Sequence, residues 1–395
     1  MTLQRDQWRE VVTGRDPYDA LRSRRIPALL TRNARMRQLV VQVRRRCPVE
    51  LGPVLGIEPF IMAKSVACRM MAVARNEPSV RRDDDLRALV DLLYEAEGCL
   101  GDGRWGYEFD VQTRWAFYPK GSPNLIVSAF VARGLAEAGA VLGDPRLLDA
   151  AADAGRWIAE NLVDRSEPPF TRYVPDSSRL VHNANLLGAG CIALAGAVLS
   201  DTRMTELATR LCVASLRAQR GDGGWPYGDG HGLEWEDSFH TAYVLDGLLT
   251  VWLATGDSAA LNALERGSGH WSDSFFGSRG EPWYGPGRRY PYDIHSAATA
   301  LDVGSRLARH GLFAPELVER IAGWTQEHLV DAKTSHTFAR QGRISRDRRH
   351  FVRWGDAHYA MGSSSYDLLV RGGDLPFETL LTGRSGASDD GGPDE

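Results

Sequence analysis

Residues 181–198 read VHNANLLGAGCIALAGAV: a polar entry of His182, Asn183 and Asn185, then a long apolar run built mostly of alanine and glycine. A helix that is apolar on most sides and rich in small residues is one enclosed by neighbours whose backbones approach it closely. Working outward, the same layout recurs in EPFIMAKSVACRMMAVA from Glu58, SPNLIVSAFVARGLAEAG from Ser122, SFHTAYVLDGLLTVWLA from Ser238, YDIHSAATALDVGSRLA from Tyr292 and WGDAHYAMGSSSYDLL from Trp354. With Pro59, Asn124, Asn183, His240, His295 and Asp356 as markers, the steps are 65, 59, 57, 55 and 61 residues, so the chain repeats one unit six times.

Between these segments lie more charged stretches, DPRLLDAAADAGRWIAENLV, DTRMTELATRLCVASLRAQ and FAPELVERIAGWTQEHLV, with apolar residues at three-and-four spacing and acids near their starts. They read as helices with one wet face. Six inner helices alternating with about six outer ones predict an all-α fold, an (α/α)6 toroid of about six helical hairpins, with an open helical solenoid as the other arrangement. The toroid is expected over residues 51–375, preceded by a basic helical extension at 1–50 and followed by a disordered acidic tail at 376–395.

The chain has 395 residues, 43% of them hydrophobic, and a formal charge of −4, which gives no reason to expect nucleic acid as a partner. No run of about 18 apolar residues occurs, and MTLQRDQWREVV carries acids and a tryptophan where a signal peptide needs an apolar stretch. Cys47, Cys68, Cys99, Cys191 and Cys212 are scattered and odd in number, as expected of reduced thiols in a cytoplasm. Residues 1–50 hold twelve arginines against five acids, mixed with Leu29, Leu30, Leu39, Val40 and Val43. That stretch suits either a solvated outer helix or peripheral contact with a membrane surface. No metal or cofactor is expected: HExxH is absent, the marker histidines lie on separate helices, and GDGHG and GRSGA lack the lysine of a phosphate loop.

These motifs resemble the α/α-toroid superfamily, which includes six-hairpin glycosidases, sugar epimerases, polysaccharide lyases, squalene–hopene-type cyclases and protein prenyltransferase β-subunits. The resemblance covers roughly residues 50–370. Gln219 to Trp225, QRGDGGW, fits the QxxxGxW motif of the cyclases, and GDGRWGY at 101–107 repeats its GxW part. Both mark turns between helices, so they specify architecture more than chemistry. Asp237-Ser-Phe-His-Thr-Ala is similar to the cyclase DxDDTA stretch, but Phe239 and His240 stand where its last two acids belong. The strings HNANLLGA, WPYG, FHTAYVL and YPYDIHSAA resemble a bacterial branch associated with polysaccharide biosynthesis, which implies a glycan-related role.

If the marker helices point their starts at one mouth, Asn124, His182, Asn183, Asn185, Asp237, His240, Asp293, His295, Asp356 and His358 gather there. Histidine and carboxylate are the groups that burial tunes for proton transfer near neutrality, and asparagine supplies neutral donors for hydroxyls. His240, His295, Asp237, Asp293 and His182 are the catalytic candidates. Asp237, Asp293 and the asparagines also fit the role of N-caps. Aromatic residues expected at the same level, Trp115, Tyr118, Trp225, Tyr227, Trp235, Tyr292 and Trp354 among them, suit stacking on sugar faces. Arg114, Lys120, Arg172, Arg288, Arg289 and Arg353 suit carboxylate or phosphate. The expected function is acid–base chemistry, as in an epimerase, lyase or hydrolase, on an acidic or lipid-linked glycan. The alternatives are a terpene or prenyl cyclase using Asp237 as its acid, and a non-catalytic glycan-binding scaffold.

Overall fold

Three connections share one design. A helix ends at a residue in the left-handed region, Gly143 (φ 62°), Ser200 (φ 55°) or Gly256 (φ 68°). The next residue, Asp144, Asp201 or Asp257, then caps the following helix by accepting the backbone N–H of Arg146, Arg203 or Ala260. A reversal this short forces consecutive helices to lie antiparallel side by side.

The computed structural model describes residues 2–113 and 116–383. Its α-helices are α1 (Thr2–Val12), α2 (Ala34–Arg46), α3 (Ala63–Ala74), α4 (Val80–Tyr94), α5 (Leu125–Leu142), α6 (Pro145–Asn161), α7 (His182–Leu199), α8 (Thr202–Arg217), α9 (Ser238–Thr255), α10 (Ser258–Phe275), α11 (Ile294–Arg309), α12 (Pro315–Leu329), α13 (His358–Arg371) and α14 (Pro376–Thr382). Helices α3, α5, α7, α9, α11 and α13 each pack on the next, and α13 packs back on α3, so the ring closes and the solenoid is excluded. Helices α4, α6, α8, α10 and α12 cover the ring from outside, and α1 packs against α4. The fold is an all-α toroid. Strands among the described residues are two-residue ribbons within the connections or tying them together.

Small residues set the helix spacing. A Cβ placed on Gly247 of α9 would lie 2.4 Å from the Leu186 backbone of α7, and one on Gly155 of α6 would lie 2.7 Å from the Cys191 carbonyl. Helices α5 and α7 are long and apolar enough to cross a membrane, and both are largely buried inside the ring.

At the C-terminal ends of the inner helices the ring is tied by charge. Arg75, just past α3, binds Glu137 of α5 through two bonds of 2.9 and 2.7 Å and Asp302 of α11 at 3.1 Å. Arg133 of α5 reaches Asp302 at 3.2 Å and Asp246 of α9 at 3.6 Å. Arg306 of α11 pairs with Asp246 and, at 2.8 Å, with Glu378 of α14. Burial opposes ionisation of Asp302 and Glu378. The arginines nonetheless hold Asp302 well below the carboxylate range, and His310 with Arg306 hold Glu378 at about 2.

Both ends of the chain differ from expectation. Residues 376–382, expected in a disordered tail, form α14, whose Phe377, Glu378 and Leu381 are buried against α5, α7 and α9. The remaining stretch of that tail, 384–395, lies outside the described residues. The basic extension is helical in part but built into the body: Arg44 of α2 is buried between Asp19, at 3.2 Å, and Glu50.

Because Arg75 is buried and neutralises Glu137 and Asp302 together, Arg75→Ala should cost about 3–5 kcal/mol in urea unfolding. A loss under about 1 kcal/mol would mean that the charges do not hold the ring shut.

Candidate functional site

A cavity of about 530 Å³ opens where the inner helices begin. Its walls take Lys64 from α3, Ile126 from α5, Asn183 from α7, His240 and Tyr243 from α9, His295 from α11, and Arg353 with Trp354 from the turn before α13. Six parallel helices therefore present their starts to one mouth. The turn before α13, Val352–Ala357, is π-helical, a wider winding found frequently at functional sites.

On one wall Asp237 does two things at once. Its Oδ1 caps α9 by accepting the His240 backbone N–H at 3.0 Å, and both carboxylate oxygens lie 2.9 Å from His240 Nδ1. Cap and imidazole partner are thus one residue. With Nδ1–H donated to the carboxylate, His240 Nε2 becomes the acceptor. The side chain is 22% exposed and lines the cavity. Beside it Tyr227 and Trp235 stack at 4.3 Å and 13°, with the Tyr227 ring 4.8 Å from the imidazole. On the same side, Asn183 of the neighbouring helix α7 lines the cavity, and its buried Oδ1 has no hydrogen-bond partner among the described residues.

The floor is drier. His295 Nδ1 lies 3.1 Å from the Trp354 carbonyl and Nε2 lies 2.9 Å from the Tyr243 hydroxyl. A carbonyl only accepts, so Nδ1 carries the proton and Tyr243 donates to Nε2. His358 donates Nδ1–H to the Arg353 carbonyl at 2.5 Å, and its Nε2 is buried without a hydrogen-bond partner among the described residues. Burial holds both imidazoles well below the ordinary histidine range, and nearby Lys64 and Arg353 add to the effect. Lys64 is buried with its Nζ 3.8 Å from the Phe130 ring centroid and 5.4 Å from that of Tyr243. It has no ion pair among the described residues, and burial, aided by Arg353, lowers its pKa to about 7.

The rim is cationic. Arg45 and Arg46 of α2 and Arg288 line the opening, and Arg353 reaches in while its guanidinium binds buried Asp16 at 2.6 Å. Of the other basic loop residues, Lys120 pairs with Glu97 at 2.6 Å and Arg172 with Asp164 at 2.8 Å.

Among the expected site residues, Asp237, His240, His295, Asn183, Tyr227, Trp235 and Trp354 meet in the cavity, and His358 lies against His295 at 4.2 Å between ring centroids. Others do not reach it. His182 turns outward, with Nδ1 3.0 Å from Ser215 of α8, and Asn185 bonds Thr171, Leu211 and Ser215. Asn124 caps α5 through Val127. Asp293 caps α11 and accepts Trp354 Nε1–H at 2.9 Å, so it positions the indole and does not meet the His295 ring. Asp356 faces Thr337 and His336. Trp225 donates to the Ser215 carbonyl in its turn, Tyr292 packs on Trp324, and Tyr118 stacks on Tyr173 behind the wall. Arg114 and Trp115 lie outside the described residues.

Sequence reasoning missed Lys64, Tyr243, Tyr173 and Arg45. Only Lys64 left a readable signal: it is one of three lysines, with Lys120 and Lys333, among 47 basic residues. That scarcity makes it measurable. After reductive methylation with a carbon-13 label, the resonance assigned to Lys64 by its loss in a Lys64→Arg variant is expected to titrate near pH 7. A Lys64 resonance that titrates above 9 would show that burial does not depress the Lys64 amine.

No sequence-family model and no curated protein matches this chain. Solved structures do. Cellobiose 2-epimerase from Bacillus thermoamylovorans is 12% identical, with TM-score 0.59, covering 79% of this chain and 88% of that one. An unsaturated glucuronyl hydrolase specific for heparin is 11% identical, with TM-score 0.59, covering 79% and 87%. A GH76 α-mannanase from Bacteroides thetaiotaomicron is 12% identical, with TM-score 0.61, covering 79% and 88%. At these identities the likeness is one of fold: the chain is an α/α toroid, as those enzymes are.

Proposed function

We propose that this chain is a carbohydrate-active enzyme that performs acid–base chemistry on an anionic glycan in the toroid cavity. The observation that carries the reading is the Asp237–His240 pair, held at 2.9 Å beside the stacked Tyr227 and Trp235 rings in a cationic mouth. An imidazole with one nitrogen committed to a carboxylate is a general base at the other, and a flat aromatic pair is a surface for a sugar ring. Arg45, Arg46, Arg288 and Arg353 favour a carboxylate or phosphate on the substrate. Lys64 on the floor is the group suited to balance negative charge that develops as the base removes a proton.

Among the reactions open to such a site, epimerisation and elimination fit better than hydrolysis. Hydrolysis in its common form uses two carboxylates flanking the scissile bond. The cavity acids among the described residues are adjacent, Glu236 and Asp237, and Glu236 is bound by Arg220 at 2.6 Å. A prenyl cyclase is disfavoured because the same arginines would repel a hydrocarbon cation. The names of the structural neighbours, which include sugar epimerases and a glucuronyl hydrolase, support the glycan reading.

With sugar acids, acidic oligosaccharides and nucleotide sugars in deuterated water, nuclear magnetic resonance should reveal exchange of a carbon-bound proton or a new double bond. His240→Ala should reduce kcat by about 10²–10⁴-fold with KM little changed and the fold intact. Full turnover in that variant would overturn the proton-transfer role. Binding without chemical change across the panel would favour the scaffold.

The lipid-linked form of the substrate is favoured by one feature. Helix α2, whose Arg45 and Arg46 line the mouth, carries Leu39 and Val43 at 54% and 53% exposure. A paired Leu39→Glu and Val43→Glu variant should lose co-sedimentation with anionic phosphatidylglycerol vesicles and keep turnover on a soluble substrate. Equal sedimentation of variant and parent would remove the membrane from the account.

A further inference from the structure

Outside the cavity, the connection from α12 to α13 folds back so that His336, His350 and Asp356 converge. One donor atom from each lies within 4.8 Å of those of the other two. His336 Nδ1 is 3.0 Å from Asp356 Oδ2, and the two imidazole rings meet edge-on with centroids 4.3 Å apart. We infer that these three residues bind a divalent first-row transition ion, Zn²⁺ in its simplest form, at a site separate from the cavity.

The donor set selects the ion. Two imidazoles with one carboxylate suit zinc, iron, cobalt or nickel, whereas magnesium and calcium take oxygen ligands. Zinc–ligand bonds of about 2.0–2.2 Å at tetrahedral angles place donors about 3.3 Å apart, close to the His336–Asp356 separation. The carboxylate is already oriented: its Oδ1 accepts the Thr337 backbone N–H at 2.8 Å and the Thr337 hydroxyl at 2.7 Å, which leaves Oδ2 facing the histidines. Buried support of that kind behind a ligand is what fixes a metal carboxylate. Asp356 is 7% exposed, whereas the His336 side chain is 55% exposed, so the histidines have the freedom to close on an ion from solvent.

The site has a mechanical role. Asp356 belongs to the same π-helical turn as Arg353 and Trp354, which line the cavity. An ion joining that turn to His336, in the loop before it, and to His350 braces the segment that carries them. The inference stands whether or not the catalytic reading holds.

The test uses the full chain carrying no histidine tag, stripped with chelator and titrated with ZnCl₂ by calorimetry. One ion per chain with a micromolar or tighter Kd is expected, together with a rise in Tm, and substitution by Co²⁺ should give the visible absorption of a four-coordinate site. His336→Ala and His350→Ala, both exposed positions, should keep the metal-free Tm and weaken Zn²⁺ binding at least tenfold each. Should either variant fail to fold, the cobalt spectrum of the parent and the other variant decide. No saturable binding by the parent below 1 mM, or undiminished binding in the double variant, overturns the site.

Discussion

A charge inside a protein is tolerated only when its partner is held against it, and at the closed end of this ring most partners come from a different helix, the Arg133–Glu137 pair within α5 being the exception. Arg75, Arg133 and Arg306 share Glu137, Asp246, Asp302 and Glu378, so that α5, α9, α11, α14 and the end of α3 meet around one lattice. Ser365 of α13 joins it by donating to Asp302 at 2.5 Å. Sliding any of these helices along its axis would leave an unpaired ion in a medium that cannot solvate it. Apolar packing between small residues permits such sliding at low cost. The lattice therefore fixes the axial register of the inner helices, and with it the level at which their first turns stand around the mouth.

Between lattice and mouth lies an aromatic layer. Phe130 packs edge-on against Tyr243 at 5.6 Å and also contacts His358, and Lys64 rests on both aromatic rings. On the mouth side burial disfavours charge on Lys64, His295 and His358 while Arg353 stays paired with Asp16; on the far side arginines keep Asp302 and Glu378 charged.

The ring was legible in the sequence because its cause is periodic. Small-residue runs at nearly constant spacing follow from the close packing of inner helices, and turn residues such as those of QRGDGGW mark the connections, where Gln219 indeed bridges the Gly223 and Ala263 carbonyls. The site was only partly legible because it depends on rotation about each helix axis. Successive residues differ by about 100° around a helix, so in His182-Asn183 the second faces the cavity and the first faces α8. No motif records that phase. The partnership of Asp16 with Arg353, 337 residues apart, and the placement of α2 across the mouth follow from tertiary packing alone.

The two faces of the ring are unequal in a way that bears on how such proteins diversify. On the lattice side three helix reversals are made by two residues each, with a left-handed position and an aspartate cap that leave almost no sequence freedom. On the other side the chain spends residues 95–124, 162–181, 218–237, 276–293 and 330–357 between helices. Mutation there can reshape what enters the cavity without disturbing the scaffold's assembly. Frame and specificity are thus inherited on opposite surfaces, and one can drift while the other stays put.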